Sequence, residues 1–155
     1  NYDDPNSDSV VASVSSIIHC LSPRVRVVAE CMSPKHKLLF AGSPDVALVY
    51  TIHMANNLLI QETQDPGVNL LTQVMTSNRL DGTLASTRVN QPPDAPLSYA
   101  NVAKRLLDDD VNLVGVIRGQ EVHLKFGDLY PASDDLLVYI SSRRLEWSTL
   151  RDSLV

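Results

Sequence analysis

Few side chains in this sequence have the spacing that catalysis or metal binding requires. Its 4 histidines and 2 cysteines form neither a Cys-x-x-Cys nor a His-Glu-x-x-His pattern. The glycines do not form the Gly-x-Gly-x-x-Gly turn that holds a dinucleotide phosphate, and no Gly-x-Ser-x-Gly pattern occurs. No histidine, lysine or tyrosine stands beside an acid as a recognisable acid–base pair. We therefore predict that the chain is not an enzyme.

Asp8 and Glu30 are the acidic residues with the best claim to a ligand site. Asp8 lies in a Ser-Asp-Ser loop, and Glu30 closes a predicted strand, so both are expected at the crevice where ligands of open α/β sheets bind. Calcium prefers several carboxylate and carbonyl oxygens, of which these residues would supply two. The simpler interpretation is that Asp8 caps a helix and Glu30 is a solvated strand end. Cys20 and Cys31 are predicted to be buried structural cysteines of a reduced chain.

Composition and charge exclude several classes of protein. The chain has 155 residues, of which 44% are hydrophobic and 20% charged, as in a globular protein of one domain or two small lobes. Its formal net charge of −5 argues against nucleic acid as a partner, because nucleic-acid binding requires basic patches. No apolar run approaches the roughly 20 residues of a membrane span, and no signal peptide is apparent.

The first part of the chain alternates helices with short apolar strands. Apolar residues recur at helical spacing over 10–21, which predicts a helix, and the short run over 25–30, rich in valine, predicts a strand. Ser33-Pro34 then opens a second predicted helix over 35–41, and 45–50 is a second compact strand. This alternation predicts an incomplete Rossmann-like parallel sheet. Two strands do not make a stable parallel sheet alone, so we expect further strands upstream of Asn1 or from another chain.

The segment 52–75 is a helix pair broken at Asp65-Pro66-Gly67, with more apolar surface than one flank of a small sheet needs. We predict that it is a dimerisation segment, although packing inside one chain stays open. The predicted interface residues are Met54, Leu58, Leu59, Leu70, Leu71, Val74 and Met75.

A small α+β lobe is predicted for the second half, with the boundary near residues 78–82. A strand over 83–89 precedes a proline-rich linker, and then come a helix over 98–107 and three short strands over 111–117, 121–126 and 136–140. A last helix is predicted over 143–154. The predicted domains are therefore 1–80 and 81–155, and the Asp108-Asp109-Asp110 run is predicted to be a solvated helix end.

The order of these motifs resembles an RCK (regulator of potassium conductance) domain, also called a Trk-type nucleotide-binding domain. The resemblance begins with the Ser-Asp-Ser loop and a helix ending at Leu-Ser-Pro, and continues with Val-Val-Ala-Glu over 27–30 and Ala-Gly-Ser-Pro-Asp-Val over 41–46. The helix pair is similar to the one by which these domains dimerise. The small C-terminal lobe of the family is matched by Val-Gly-Val-Ile-Arg over 114–118 and by the order Leu129, Pro131, Asp135 and Val138.

The resemblance implies a cytosolic, ligand-sensing regulatory domain at the cytoplasmic face of the plasma membrane. Such a domain would form a homodimer, within a larger ring, and would act on a potassium-conducting membrane pore of the same chain or of a separate subunit. A strand series with the glycine-rich turn would precede Asn1, so any nucleotide or divalent cation would bind the full-length domain, with no cofactor held by these residues alone. The alternatives are a soluble Trk-type uptake subunit and, in another class, a fragment of a nucleotide-dependent oxidoreductase.

Two departures from the family pattern affect these expectations. Calcium-gated members carry a second glutamate two positions after the Ala-Glu pair, where this chain has Met32. Asp8 and Glu30 match the other two carboxylates, and the loss of one of three anionic ligands weakens the case for calcium control. Asp134 replaces a frequent glycine before Asp135, which predicts a left-handed backbone that aspartate tolerates.

Overall fold

The computed structural model of the chain describes residues 5–77 and 82–154. The chain divides into two compact units, Asn1–Asn69 and Leu70–Val155. The boundary predicted near 78–82 falls, apart from Gly82, outside the described residues. None of the helices within 5–77 and 82–154 has the length and apolar character needed to cross a membrane.

The first unit is built on two short parallel strands. Helix α1 (Pro5–Leu21) precedes strand β1 (Val28–Glu30), a 3-10 helix (Pro34–Phe40), strand β2 (Ala47–Val49) and helix α2 (Thr51–Gln64). Strand β1 pairs with β2 in parallel, so that Ala29 lies beside Leu48. The parallel pairing and the helix–strand alternation expected from the sequence are therefore confirmed. A small core is formed by Ala12, Ala29, Cys31 and Phe40.

The elements of the first unit differ in extent from the sequence prediction. Helix α1 begins at Pro5, so Asp8 lies in its first turn rather than in a loop or at the cap. The helix predicted over 35–41 is a 3-10 helix, in which the Ala41 amide donates to the carbonyl of Leu38, three residues back. Each strand has three residues rather than six, because only 28–30 and 47–49 pair with each other.

A turn with Gly67 at φ +101° follows α2 and leads into helix α3 (Val68–Thr76). A positive φ of this kind favours glycine. The helix pair broken at Asp65-Pro66-Gly67 is therefore confirmed.

The second unit is an antiparallel sheet with helices. Its elements are β3 (Thr83–Arg88), α4 (Tyr99–Asp108), β4 (Asn112–Arg118), β5 (Glu121–His123), β6 (Leu136–Ser141) and α5 (Trp147–Asp152). The strand order is β3-β6-β4-β5, and every adjacent pair is antiparallel. The core of this unit includes Val102 and Leu106 of α4, Leu137 and Tyr139 of β6, and Leu150 of α5.

The fold class predicted from the sequence is confirmed: a mixed α/β chain with a small parallel sheet, followed by an antiparallel α+β unit. The last helix, predicted over 143–154, covers only 147–152. Residues 143–145 belong to the turn after β6, where the Arg143 amide donates a hydrogen bond to the Ser141 hydroxyl.

Candidate functional site

The carboxylate of Asp8 is the most connected polar group of the first unit. Asp8 is 1% exposed, and its oxygens accept the Met32 amide N–H at 3.0 and 3.2 Å. His36 Nδ1 lies 2.7 Å from Oδ2, and the Cys31 thiol donates to the same oxygen at 3.6 Å. We call these four residues, Asp8, Cys31, Met32 and His36, the Asp8 cluster. It ties the first turn of α1 to the end of β1 and to the 3-10 helix.

The electrostatics of the Asp8 cluster favour an ionised carboxylate. Burial by itself would raise the pKa of Asp8, but the hydrogen bonds from Met32, His36 and Cys31 outweigh it and hold the pKa below its usual value. Burial, aided by the neighbouring charge of Asp8, raises the pKa of the Cys31 thiol. Cys31 is therefore a protonated donor, and its predicted burial is confirmed. The same prediction is wrong for Cys20, which is exposed because it lies off the inner face of α1.

Glu30 has a different environment from Asp8. It is exposed, and its Oε1 accepts the Thr51 hydroxyl at 2.5 Å. In a strand, side chains alternate between the two faces, so Glu30 points away from the core face occupied by Ala29 and Cys31. Across the described ranges, no three His, Cys, Asp or Glu side chains converge as a metal site would require. The assignment of Asp8 and Glu30 as cation ligands therefore stays a prediction.

The predicted interface residues belong to two helices that contribute nothing to either core. Neither α2 nor α3 contains a buried residue. Leu59 and Leu70 are each 67% exposed, and Leu71 is 58% exposed. Met54 and Val74 are also exposed, while Leu58 and Met75 are half-buried. We refer to α2 and α3, which form the predicted dimerisation segment, as the pairing helices.

The pairing helices are also poor in charge. Residues 51–76 contain no lysine or arginine and only two acids, Glu62 and Asp65. The Glu62 carboxylate accepts the amides of Gly67 at 2.9 Å and Asn69 at 2.8 Å, so it serves the turn and the start of α3. Depletion of charged residues is typical of the centre of a protein interface.

Helix α1 carries a second exposed apolar surface, which the sequence analysis missed. Its inner face uses Asp8, Ala12 and Ser15, each at most 5% exposed. The outer face carries the α1 stripe, defined as Val10, Val14, Ile17 and Leu21, all at least 49% exposed. The spacing of 4, 3 and 4 residues was visible in the sequence, but we used it only as evidence for a helix. The sequence feature that could have shown that this stripe faces outward is the row of small or polar residues on the opposite face of α1, namely Asp8, Ala12 and Ser15.

The second unit holds its own buried ion pair. Asp135 has 0% exposed side-chain area and accepts both Nε and Nη2 of Arg118 at 2.8 Å. The Tyr99 hydroxyl donates to it at 2.7 Å, and the Ala132 amide at 2.9 Å. Burial would raise the pKa of Asp135, but these donors, led by Arg118, lower it. Asp134 has φ +69°, which confirms the left-handed backbone predicted from the sequence.

No protein-family model and no curated protein sequence matches the chain. Among solved structures, it is similar to the GsuK channel bound to NAD, with a TM-score of 0.36 and 16% identity over 96% of this chain and 25% of that one. The GsuK RCK domain gives a TM-score of 0.36 and 16% identity over 88% of this chain and 29% of that one. A further GsuK channel structure gives a TM-score of 0.37 and 18% identity over 95% of this chain and 25% of that one.

The chain thus spans 25% to 29% of the length of these structures. Similarities at TM-scores of 0.36 and 0.37 carry no argument about individual residues or about activity.

Proposed function

We propose that the chain is a regulatory domain of the RCK kind, belonging to a potassium channel or potassium-uptake system. In this proposal it performs no chemistry and controls ion flux through the pairing of its own copies. The observation that carries the proposal is the exposed apolar surface of the pairing helices, which contain no lysine or arginine. The motif order that resembles the RCK family supplies the link to potassium transport.

The number of exposed leucines on the pairing helices determines how much free energy their burial can contribute to association. Fully burying one side chain of this kind contributes about 1.5 to 3 kcal/mol. Association costs roughly 4 to 15 kcal/mol in lost translational and rotational freedom. A stable pair must therefore bury several of these side chains together, and Leu59, Leu70 and Leu71 are the most exposed of the predicted interface residues.

A concavity on the pairing helices supports the proposed entry of a partner's side chain. A concavity of about 290 Å³ is lined by Ala55, Leu58, Leu59, Glu62 and Asn69. Its wall is mostly apolar, and the Glu62 carboxylate is already engaged with the backbone amides of the turn. An aliphatic side chain from a second copy would enter without leaving a charge unpaired.

The α1 stripe supports association beyond a dimer. A chain with two separate self-association surfaces can form pairs through one and join the pairs through the other, which closes a ring when the rotations permit. In this proposal the pairing helices form the dimer and the α1 stripe joins dimers. A ligand bound to the full-length domain, a nucleotide or a divalent cation, would favour one arrangement of the pairs. Such coupling is typically worth about 1 to 3 kcal/mol.

The association part of the proposal is tested with charge substitutions on the 155-residue chain. Ile17→Glu alone should stop assembly at dimers, and adding Leu59→Asp and Leu71→Asp to Ile17→Glu should yield monomers by light scattering. Leu107→Asp is the matched control, because Leu107 is 57% exposed on α4, outside both surfaces. Dimers that persist when Ile17→Glu, Leu59→Asp and Leu71→Asp are combined would contradict the pairing assignment.

The transport part requires the complete gene. The same variants in the full-length protein should alter potassium flux in cells, and Leu107→Asp should not. The gene upstream of the codon for Asn1 separates the two forms of the proposal, since apolar spans with a pore loop indicate a channel subunit. Strands and a glycine-rich turn without spans indicate a separate regulatory subunit. Normal flux despite monomeric domains would reject the proposed mechanism.

A further inference from the structure

A cavity of about 250 Å³ lies in the second unit, where α4 and β6 both end. Its floor is formed by the apolar side chains of Leu106, Val111 and Leu145, each at most 8% exposed. The hydroxyl residues Thr149 and Ser153 contribute to the wall. The cavity is smaller than the roughly 300 to 1,000 Å³ of drug-sized pockets, so it suits a ligand of a few heavy atoms.

Charged groups of both signs line this cavity. Asp109, Asp110 and Arg143 are among the residues that line it. All three residues are exposed, and within 5–77 and 82–154 none of their side chains takes part in an ion pair. The two signs come from different elements, namely the end of α4 and the turn after β6. A charged lining that is not neutralised internally is available for the charges of a ligand.

The backbone around these charges is held by local hydrogen bonds. Asp110 has φ +58°, and its amide donates to the Leu107 carbonyl at 3.2 Å while the Val111 amide donates to Leu106 at 2.9 Å. This pair of bonds is the Schellman arrangement that ends a helix. On the other side, the Arg143 amide donates to the Ser141 hydroxyl at 3.1 Å. The backbone on both sides is therefore held in place, so a ligand would have to order only the side chains.

We propose that this cavity binds a small zwitterion of the α-amino-acid class. The ligand's ammonium group would face Asp109 and Asp110, and its carboxylate would face Arg143, which suits the bidentate geometry of a guanidinium. A simple cation would leave Arg143 unused, and an anion would be repelled by the two carboxylates. The site lies wholly within the second unit, so zwitterion binding does not depend on the proposed pairing function.

The test is calorimetric titration of the whole 155-residue chain with L-serine, alongside the amide serinamide and N-acetylserine. Trp147 is the single tryptophan and stands two positions before Thr149, so its fluorescence gives a second readout. L-serine should bind saturably at one site per chain. Serinamide, which lacks the carboxylate, and N-acetylserine, which lacks the ammonium, should each bind about tenfold or more weakly, as expected for the loss of a charged hydrogen bond.

Neighbouring residues provide matched controls for the two charges. Arg143→Gln should weaken serine binding about tenfold and abolish the preference for serine over serinamide, whereas Arg144→Gln should do neither. Asp109→Asn and Asp110→Asn should reduce the preference over N-acetylserine, and Asp108→Asn should not. Asparagine also tolerates the left-handed backbone at position 110. The inference is overturned if L-serine shows no saturable binding, or if Arg143→Gln and Arg144→Gln behave alike.

Discussion

His36 Nδ1 lies 2.7 Å from Oδ2 of the buried Asp8, and this contact joins residues 28 positions apart. The same carboxylate also accepts the Met32 amide and the Cys31 thiol. Both oxygens of the carboxylate therefore already accept hydrogen bonds from the protein itself. A cation that bound Asp8, as the family resemblance suggests for this position, would have to displace the imidazole or share the carboxylate with it.

Replacing Asp8 with asparagine should loosen the first unit. The amide keeps the size of the carboxylate but loses the charge, and it cannot accept from all three donors at once. We expect the free energy of unfolding of this unit to fall by about 2 kcal/mol, as for the loss of charged hydrogen bonds. Hydrogen exchange at the Met32 amide measures the change directly, because that amide is bonded to Asp8.

Asp45→Asn is the control for this prediction, because Asp45 is an exposed acid of the same unit. It removes an equal charge without touching the Asp8 cluster. Equal exchange rates at Met32 in the two variants would mean that the Asp8 cluster adds no stability.

Cys20 and Cys31 should differ sharply in reactivity. Cys31 is 0% exposed and burial raises the pKa of its thiol, so little thiolate is present and the reagent cannot reach it. A thiol-specific reagent should therefore modify one cysteine per native chain quickly, and the second only as the chain unfolds. The Cys20→Ser variant should lose the fast phase entirely. Rapid modification of both thiols in the native chain would contradict the burial of Cys31.

Local patterns predicted some features of the fold, and long-range contacts produced the others. The parallel pairing of β1 and β2 followed from short apolar strands between helices, and the positive φ of Asp134 followed from a residue standing where a family glycine is common. The contact between Asp8 and His36 had no such local signal, because it depends on the path of 28 intervening residues. The start of α1 at Pro5, by contrast, had a local signal that the sequence analysis did not use, because proline is favoured at the first position of a helix and acids in its first turn.

The ion pair of Asp135 and Arg118 should be the main polar contribution to the stability of the second unit. Asp135→Asn leaves the guanidinium without its buried partner, and breaking such a pair costs roughly 3 to 5 kcal/mol. Because the Arg118 side chain is 39% exposed, water replaces part of what is lost, so we expect about 3 kcal/mol. Urea unfolding followed by circular dichroism at neutral pH measures this loss.

Acid should weaken this unit through the same residue. The pKa of folded Asp135 is lowered, so as the pH falls this residue takes up a proton in the unfolded chain before it does so in the folded chain. The stabilisation by ionised Asp135 is therefore complete only above the ordinary aspartate pKa of about 3.9. The free energy of unfolding should fall as the pH drops below about 4 and passes through the lower folded pKa. This fall should be smaller in Asp135→Asn than in the unaltered chain.

Asp134 provides the matched control for both experiments. Its side chain is 80% exposed and pairs with Arg88 only at the surface, at 3.2 Å. Asp134→Asn preserves the left-handed backbone and should change the free energy of unfolding by less than about 0.5 kcal/mol. Similar losses in the Asp134 and Asp135 variants would show that the buried pair has no special role.

Glu62 should control how α3 begins. Its pKa is lowered chiefly by the hydrogen bonds from the Asn69 and Gly67 amides, so the bonds are complete above the ordinary glutamate value of about 4.3 and are lost as the pH falls through the folded pKa. The amide resonances of Gly67 and Asn69 should titrate together below about pH 4.3, and this titration should vanish in Glu62→Gln.

Asp65→Asn is the control for Glu62, because it alters an exposed acid in the same turn and should leave both titrations in place. The Glu62 variant also separates two contributions to the pairing that we propose. It keeps every apolar side chain of the pairing helices and removes only the carboxylate that fixes the turn. If the variant still dimerises as well as the unaltered chain, apolar burial alone supports the pair. Weaker dimerisation by light scattering would mean that the geometry of the turn is required as well.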